Sequence, residues 1–139
     1  MVNLTSIALS AIVMKTRRIF KLKAFGRWML SNSIEDRILL RAVEEIESGL
    51  VDADLGGGIV KKRIPALGRG KSGGARTILA FKTNMNVFFI YGFMKNELEN
   101  IDKLELQYLK KYADYLFSLN ELDLIKLIDL DSVLEVSSD

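Results

Sequence analysis

From Gly58 to Lys82 the chain reads GIVKKRIPALGRGKSGGARTILAFK, with seven Lys/Arg residues (Lys61, Lys62, Arg63, Arg69, Lys71, Arg76, Lys82) and no acid. Two β-branched runs, Gly58–Ile64 and Thr77–Phe81, flank a loop that carries Gly68, Gly70, Gly73 and Gly74. This pattern predicts a strand, a flexible basic loop and a second strand. Glycines in a cationic concavity let backbone N–H and guanidinium groups come close to a phosphate. A hairpin that is merely solvated is the plainer alternative. Cations without a local counter-charge repel one another, which favours an anionic ligand over that alternative.

The segments around this hairpin predict the architecture. Lys15–Leu22 alternates loosely, as a first strand would, and leads to a short helix around Phe25–Leu30. Ser33, with Asp36 three residues on, suggests a capping-box variant for the next helix. Ile38, Leu39, Ala42, Val43 and Ile46 form its apolar stripe, and Gly49 is placed to end it. Asp52–Gly58 (DADLGGG) is turn-rich. Its acidic spacing invites a calcium loop, but the twelfth position is Arg63 rather than Glu, so that motif fails. After a polar turn at Thr83–Asn86, Val87–Met94 (VFFIYGFM) is the most strand-like run and is expected at the sheet's centre. Strict alternation would put Phe89, Tyr91, Phe93 and Lys95 on one face. Asp102, with Glu105 three residues later, caps a further helix with a stripe of Leu106, Leu109, Ala113, Leu116 and Phe117. Asn120 is a cap for a final acidic helix, Glu121–Leu130, before a polar tail. The expected class is α+β: N-terminal helices packed on a twisted antiparallel sheet of three to five strands, with C-terminal helices. A chain of 139 residues is one domain by size. Residues 1–14 are uncharged, and their apolar run is too short to span a bilayer.

The net charge of +2 conceals a division. Residues 15–82 hold 15 Lys/Arg against 7 acids, whereas residues 83–139 hold 5 against 11. A basic body points to a polyanionic ligand, and the acidic tail reads as a solvated face. The sequence contains no cysteine and no histidine, so thiolate chemistry and the usual neutral-pH base are both excluded. GRGKS at Gly68–Ser72 resembles the end of a P-loop. Pro65 stands where that motif needs its first glycine, however, and a strand is expected to follow rather than a helix. Carboxylate-pair hydrolysis has little support, because the acids fall mostly on helix surfaces and none lies in the basic stretch. Phosphate chemistry by cations remains. RNA breaks without metal when its 2′-hydroxyl attacks the adjacent phosphorus. Arginine can hold the charge that builds on the phosphate oxygens. Lysine can move a proton when neighbouring cations make its neutral form accessible. Tyr91 is suited to stack on a base or to move a proton.

The runs DADLGGGIVKKRIPALGRGKSGGARTILAF and FFIYGFMKNELENI resemble the RelE/HigB-like toxins of bacterial type II toxin–antitoxin systems. The resemblance is strongest to a subgroup with a GRGKSGG-x-RT loop and a YGF-x-KNE-x-NI segment, and it covers residues 14 to about 130. Members commonly begin near a MKTR-like sequence, which Met14-Lys15-Thr16-Arg17 matches. Residues 1–13 are therefore expected to be an extension, and residues 14–139 the toxin domain. The resemblance implies a cytoplasmic, ribosome-dependent mRNA endoribonuclease that uses no cofactor or metal and has no membrane partner. Its partners would be the ribosome, messenger RNA and a helix-turn-helix antitoxin. The catalytic set it implies is Arg76 on the phosphate, Lys61 as base, Arg63 and Lys95, with Tyr91 standing in for the tyrosine that several members carry near the C-terminus. Lys62, Arg69, Lys71 and Asn96 would bind RNA or phosphate. The family's C-terminal tyrosine or histidine–aspartate–tyrosine cluster has no clear counterpart in this chain. Two alternatives stay open: a ParE-like toxin that inhibits gyrase, and an inactive homologue that only binds its antitoxin.

Overall fold

A computed structural model describes residues 17–66, 74–94 and 101–137. The expected extension at residues 1–13 lies outside them. The elements in order are β1 (Ile19–Leu22), α1 (Lys23–Ser31), α2 (Asp36–Glu47), β2 (Ala53–Gly56), β3 (Ile59–Ile64), β4 (Ala75–Ala80) and β5 (Val87–Met94). They are followed by α3 (Lys103–Ser118), α4 (Glu121–Asp129) and β6 (Val133–Glu135).

The α+β class holds, with a sheet both wider and less uniform than expected. Six strands run in the order β2-β3-β4-β5-β1-β6, and β1 lies parallel to β5 while every other pair is antiparallel. β2 through β5 follow one another in the sheet in chain order, and their directions alternate. β1 reaches β5 only after two helices and three strands, and this long crossover permits the parallel pairing. The two additional strands are short edges. β2 arises from the turn-rich DADLGGG, and β6 from what looked like a polar tail.

Helices cover both faces. On one, Phe25 and Met29 of α1 and Leu39, Val43 and Ile46 of α2 bury against Val60, Ile64, Leu79 and Phe89. On the other, Ala113 and Leu116 of α3 and Leu124 of α4 bury against Phe20, Ile59, Ile78, Phe88 and Phe93. The stacked rings of Phe20 and Phe88, 5.3 Å apart, join β1 to β5 on that second face.

The helix ends follow the sequence in three of four cases. At the end of α2, Gly49 has a φ of +94°. Its N–H reaches the Ile46 carbonyl, and the Leu50 N–H reaches that of Glu45, closing a Schellman motif. The Asp102 carboxylate accepts from the Glu105 N–H (2.8 Å), and Asn120 and Asp123 form a full capping box at α4. The fourth case is a correction. Ser33 does not cap α2; it sits in a turn with a φ of +55°, and Glu35 occupies the cap position without a side-chain bond. The Asp36 carboxylate is instead held by the Lys21 ammonium (2.6 Å) and the Ser137 N–H (3.3 Å).

Strict alternation along β5 is the second correction. The pairing of β4 with β5 shifts register between Ile78 and Leu79, because Ile90 is an additional residue opposite them. Phe89 consequently faces α1, its ring 5.4 Å from Phe25, while Phe93 lies on the α3 side. Lys95 falls outside the described residues.

Candidate nucleic-acid interface

The basic hairpin forms as β3 and β4, and its register decides which cations meet. Lys61 pairs with Ile78, Lys62 with Thr77 and Arg63 with Arg76; on the far side of β4, Arg76 pairs with Phe93 and Ile78 with Tyr91. Side chains alternate across a strand. Lys61, Arg63 and Arg76 therefore share the face that carries Phe93. The Lys61 ammonium lies 6.0 Å from the Phe93 ring, and that ring is 5.9 Å from Tyr91. Tyr91 is about half exposed. The structure thus brings four of the nine expected residues, Lys61, Arg63, Arg76 and Tyr91, to one patch.

Lys62 is turned the other way. It is buried, with its ammonium 2.9 Å from the Glu45 carboxylate and 2.8 Å from the Leu50 carbonyl. The buried Thr77 hydroxyl donates to the Lys62 carbonyl, fixing β3 to β4 at this point. Lys62 accordingly ties β3 to α2 and has no place on the basic patch. This corrects its grouping with the phosphate-binding residues.

Arg69, Lys71, Lys95 and Asn96 lie outside the described residues. Ala75 pairs with Ile64 on one side and Met94 on the other, at the end of the sheet where Arg63 and Arg76 stand. Lys82 is at the opposite end of β4, its ammonium 5.0 Å over the Phe117 ring.

Two neighbours were not foreseen from the sequence. Asp52, just before β2, pairs with Arg63 through both the guanidinium and the backbone N–H. It orients Arg63, whose side chain remains nearly half exposed at 47%. Phe93 supplies the ring beside Lys61. The register of a hairpin across three glycines would have been the only signal for Asp52. Arg63, held by Asp52, stands opposite Arg76, so two guanidinium groups occupy neighbouring positions on this face. Fork-shaped guanidinium groups side by side suit the oxygens of a phosphodiester. Among the described residues no helix is long and apolar enough to cross a membrane.

The family model described as "RelE toxin of RelE / RelB toxin-antitoxin system" matches residues 17–136. No curated protein matches the chain.

Proposed function

Because the chain belongs to the RelE toxin family of toxin–antitoxin systems, we propose that it is a messenger-RNA endoribonuclease acting on the ribosome. Under this reading a helix-turn-helix antitoxin restrains it. The observation that carries the reading is the Arg63–Arg76 pair, placed beside Lys61 on one face of the sheet. Gyrase inhibition does not call for clustered cations, whereas RNA cleavage does.

The reaction is an in-line transfer. Lys61, as the neutral amine, accepts the proton of a 2′-hydroxyl. The freed oxygen attacks phosphorus, the P–O5′ bond breaks, and the products are a 2′,3′-cyclic phosphate and a 5′-hydroxyl once the leaving oxygen is protonated. Arg76 and Arg63 hold the oxygens on which negative charge builds; removal of one such donor costs on the order of 10²–10³ in rate. Tyr91 stacks on a base or delivers the proton to the leaving group. Lys95, Asn96, Arg69 and Lys71 complete the RNA-binding surface in this proposal. With no histidine in the chain, orientation of the RNA by the ribosome supplies much of the acceleration.

Primer extension on cellular messages after brief induction tests the reading. New 5′ ends within translated codons are expected with the native protein and not with Arg76→Ala. Growth arrest with intact messages and damaged DNA would move the activity to gyrase. Intact messages without arrest would leave an inactive homologue.

A further inference from the structure

All four tyrosines of the chain, Tyr91, Tyr108, Tyr112 and Tyr115, stand on one surface and are substantially exposed. Three come from α3 at spacings of four and three residues, which places them on one outward stripe, while Ala113 and Leu116 of the same helix turn inward. The fourth comes from β5, one residue beyond the bulge at Ile90. Bulges re-aim side chains. Here Ile90 and Tyr91 line a groove against Ile101, Glu105, Tyr108, Leu109 and Tyr112 of the facing segment, with a volume of about 390 Å³.

Exposed tyrosines in such number are out of place on a helix surface that needs only solubility. They supply broad, rigid faces at low entropic cost, since each ring has two rotatable bonds. Tyr112 and Tyr115 lie nearly parallel, 12° apart with centroids 5.9 Å from one another. Burial, and after it the neighbouring Tyr115, raises the Tyr112 pKa. The Asp102 cap fixes the first turn of α3 and with it the position of Glu105.

We propose that this groove is a stacking site for one nucleobase of single-stranded RNA whose phosphate lies on Arg63 and Arg76; the inference rests on the ribonuclease reading above. Tyr91 on the groove wall touches the buried Phe93, which has Lys61 beside its ring and Arg76 opposite it on β4, so a polyanion that engages the arginines has its neighbouring base near the tyrosines. Its volume lies at the low end for small-molecule sites. That suits one base with part of its sugar, whereas an amphipathic partner helix needs anchors spread over i, i+4 and i+7. The Glu105 carboxylate at the rim accepts from an exocyclic amine, which favours adenine, cytosine or guanine over uracil.

The test uses short 2′-O-methyl oligoribonucleotides, which cannot be cleaved, carrying 2-aminopurine at successive positions. The native protein is expected to quench the probe at one position. The double variant Tyr108→Ala/Tyr112→Ala should abolish that quenching and weaken binding on the order of tenfold. Its slope of log Kd against log salt should not change, because the phosphate contacts persist. Tyr108→Phe/Tyr112→Phe should retain the quenching, which separates loss of stacking from loss of fold. Arg76→Ala should instead lower the salt slope. Arg76-dependent binding that quenches no position, or that ignores the double alanine variant, would overturn the stacking site and leave the ribonuclease reading intact. No binding of these oligonucleotides by the native protein would overturn the stacking site, whereas the ribonuclease reading stands or falls on the primer extension above.

Discussion

Lys61 and Lys62 are adjacent and identical in chemistry, yet the strand sends one to the basic patch and the other into the interface with α2. The period of two along a strand separates these neighbours without further information, and Lys61 and Arg63 fall together for the same reason. What the sequence could not reveal was the origin of the counter-charges. Glu45 and Asp52 lie 17 and 11 residues from their partners Lys62 and Arg63 and reach them only through the fold. A stretch that looks unbalanced along the chain is partly neutralised in space. Lys62→Ala should therefore leave the partly buried Glu45 carboxylate without this cation, costing about 2 kcal/mol in urea unfolding. A Lys62→Met/Glu45→Leu double variant should recover most of that loss. Arg76→Ala should behave in the opposite manner: message cleavage lost, with stability within about 0.5 kcal/mol of the parent.

At the level of elements, local chemistry was the best guide where the interacting partners were close in sequence. Asp102 with Glu105, Asn120 with Asp123, and Gly49 were all legible because each cap closes within a few residues. Asn120→Ala should cost α4 about 1 kcal/mol, read as a lower unfolding midpoint. Ser33 was not legible as a turn residue, since its competitor for Asp36 is Lys21 of β1. The β5 bulge was likewise hidden, because VFFIYGFM is apolar on both faces and alternation has no polar residue to mark the slip. β5 carries a second constraint at Gly92, where a Cβ would lie 2.3 Å from the Trp28 ring of α1. Gly92→Ala should displace that ring and cost roughly 2 kcal/mol. The only tryptophan in the chain would report the change through its emission.

Across the molecule, the basic and acidic parts of the chain are partly joined rather than separate. Arg18, ahead of β1, bonds Glu121 of α4 and Glu135 of β6, each at 2.8 Å. The hydrogen bond from Arg18 lowers the Glu135 pKa, outweighing its burial. The acidic tail that reads as solvated is in part the counter-charge of the first strand. This pair stabilises the fold above the ordinary glutamate pKa of about 4.3, and the contribution is lost as pH falls through the lower folded value. Arg18→Gln should flatten that acid limb in thermal melts by less than about 1 kcal/mol, given the exposure of Glu135. The position of β1 also has a temporal consequence. This strand lies between β5 and β6, and Arg18 meets a partner 117 residues away. At a synthesis rate of about 5–20 residues per second, the nascent β1 waits roughly 6–25 s for its second neighbour. Until then one of its edges stays unpaired and the sheet is incomplete, so an unfinished chain does not yet have the assembled fold.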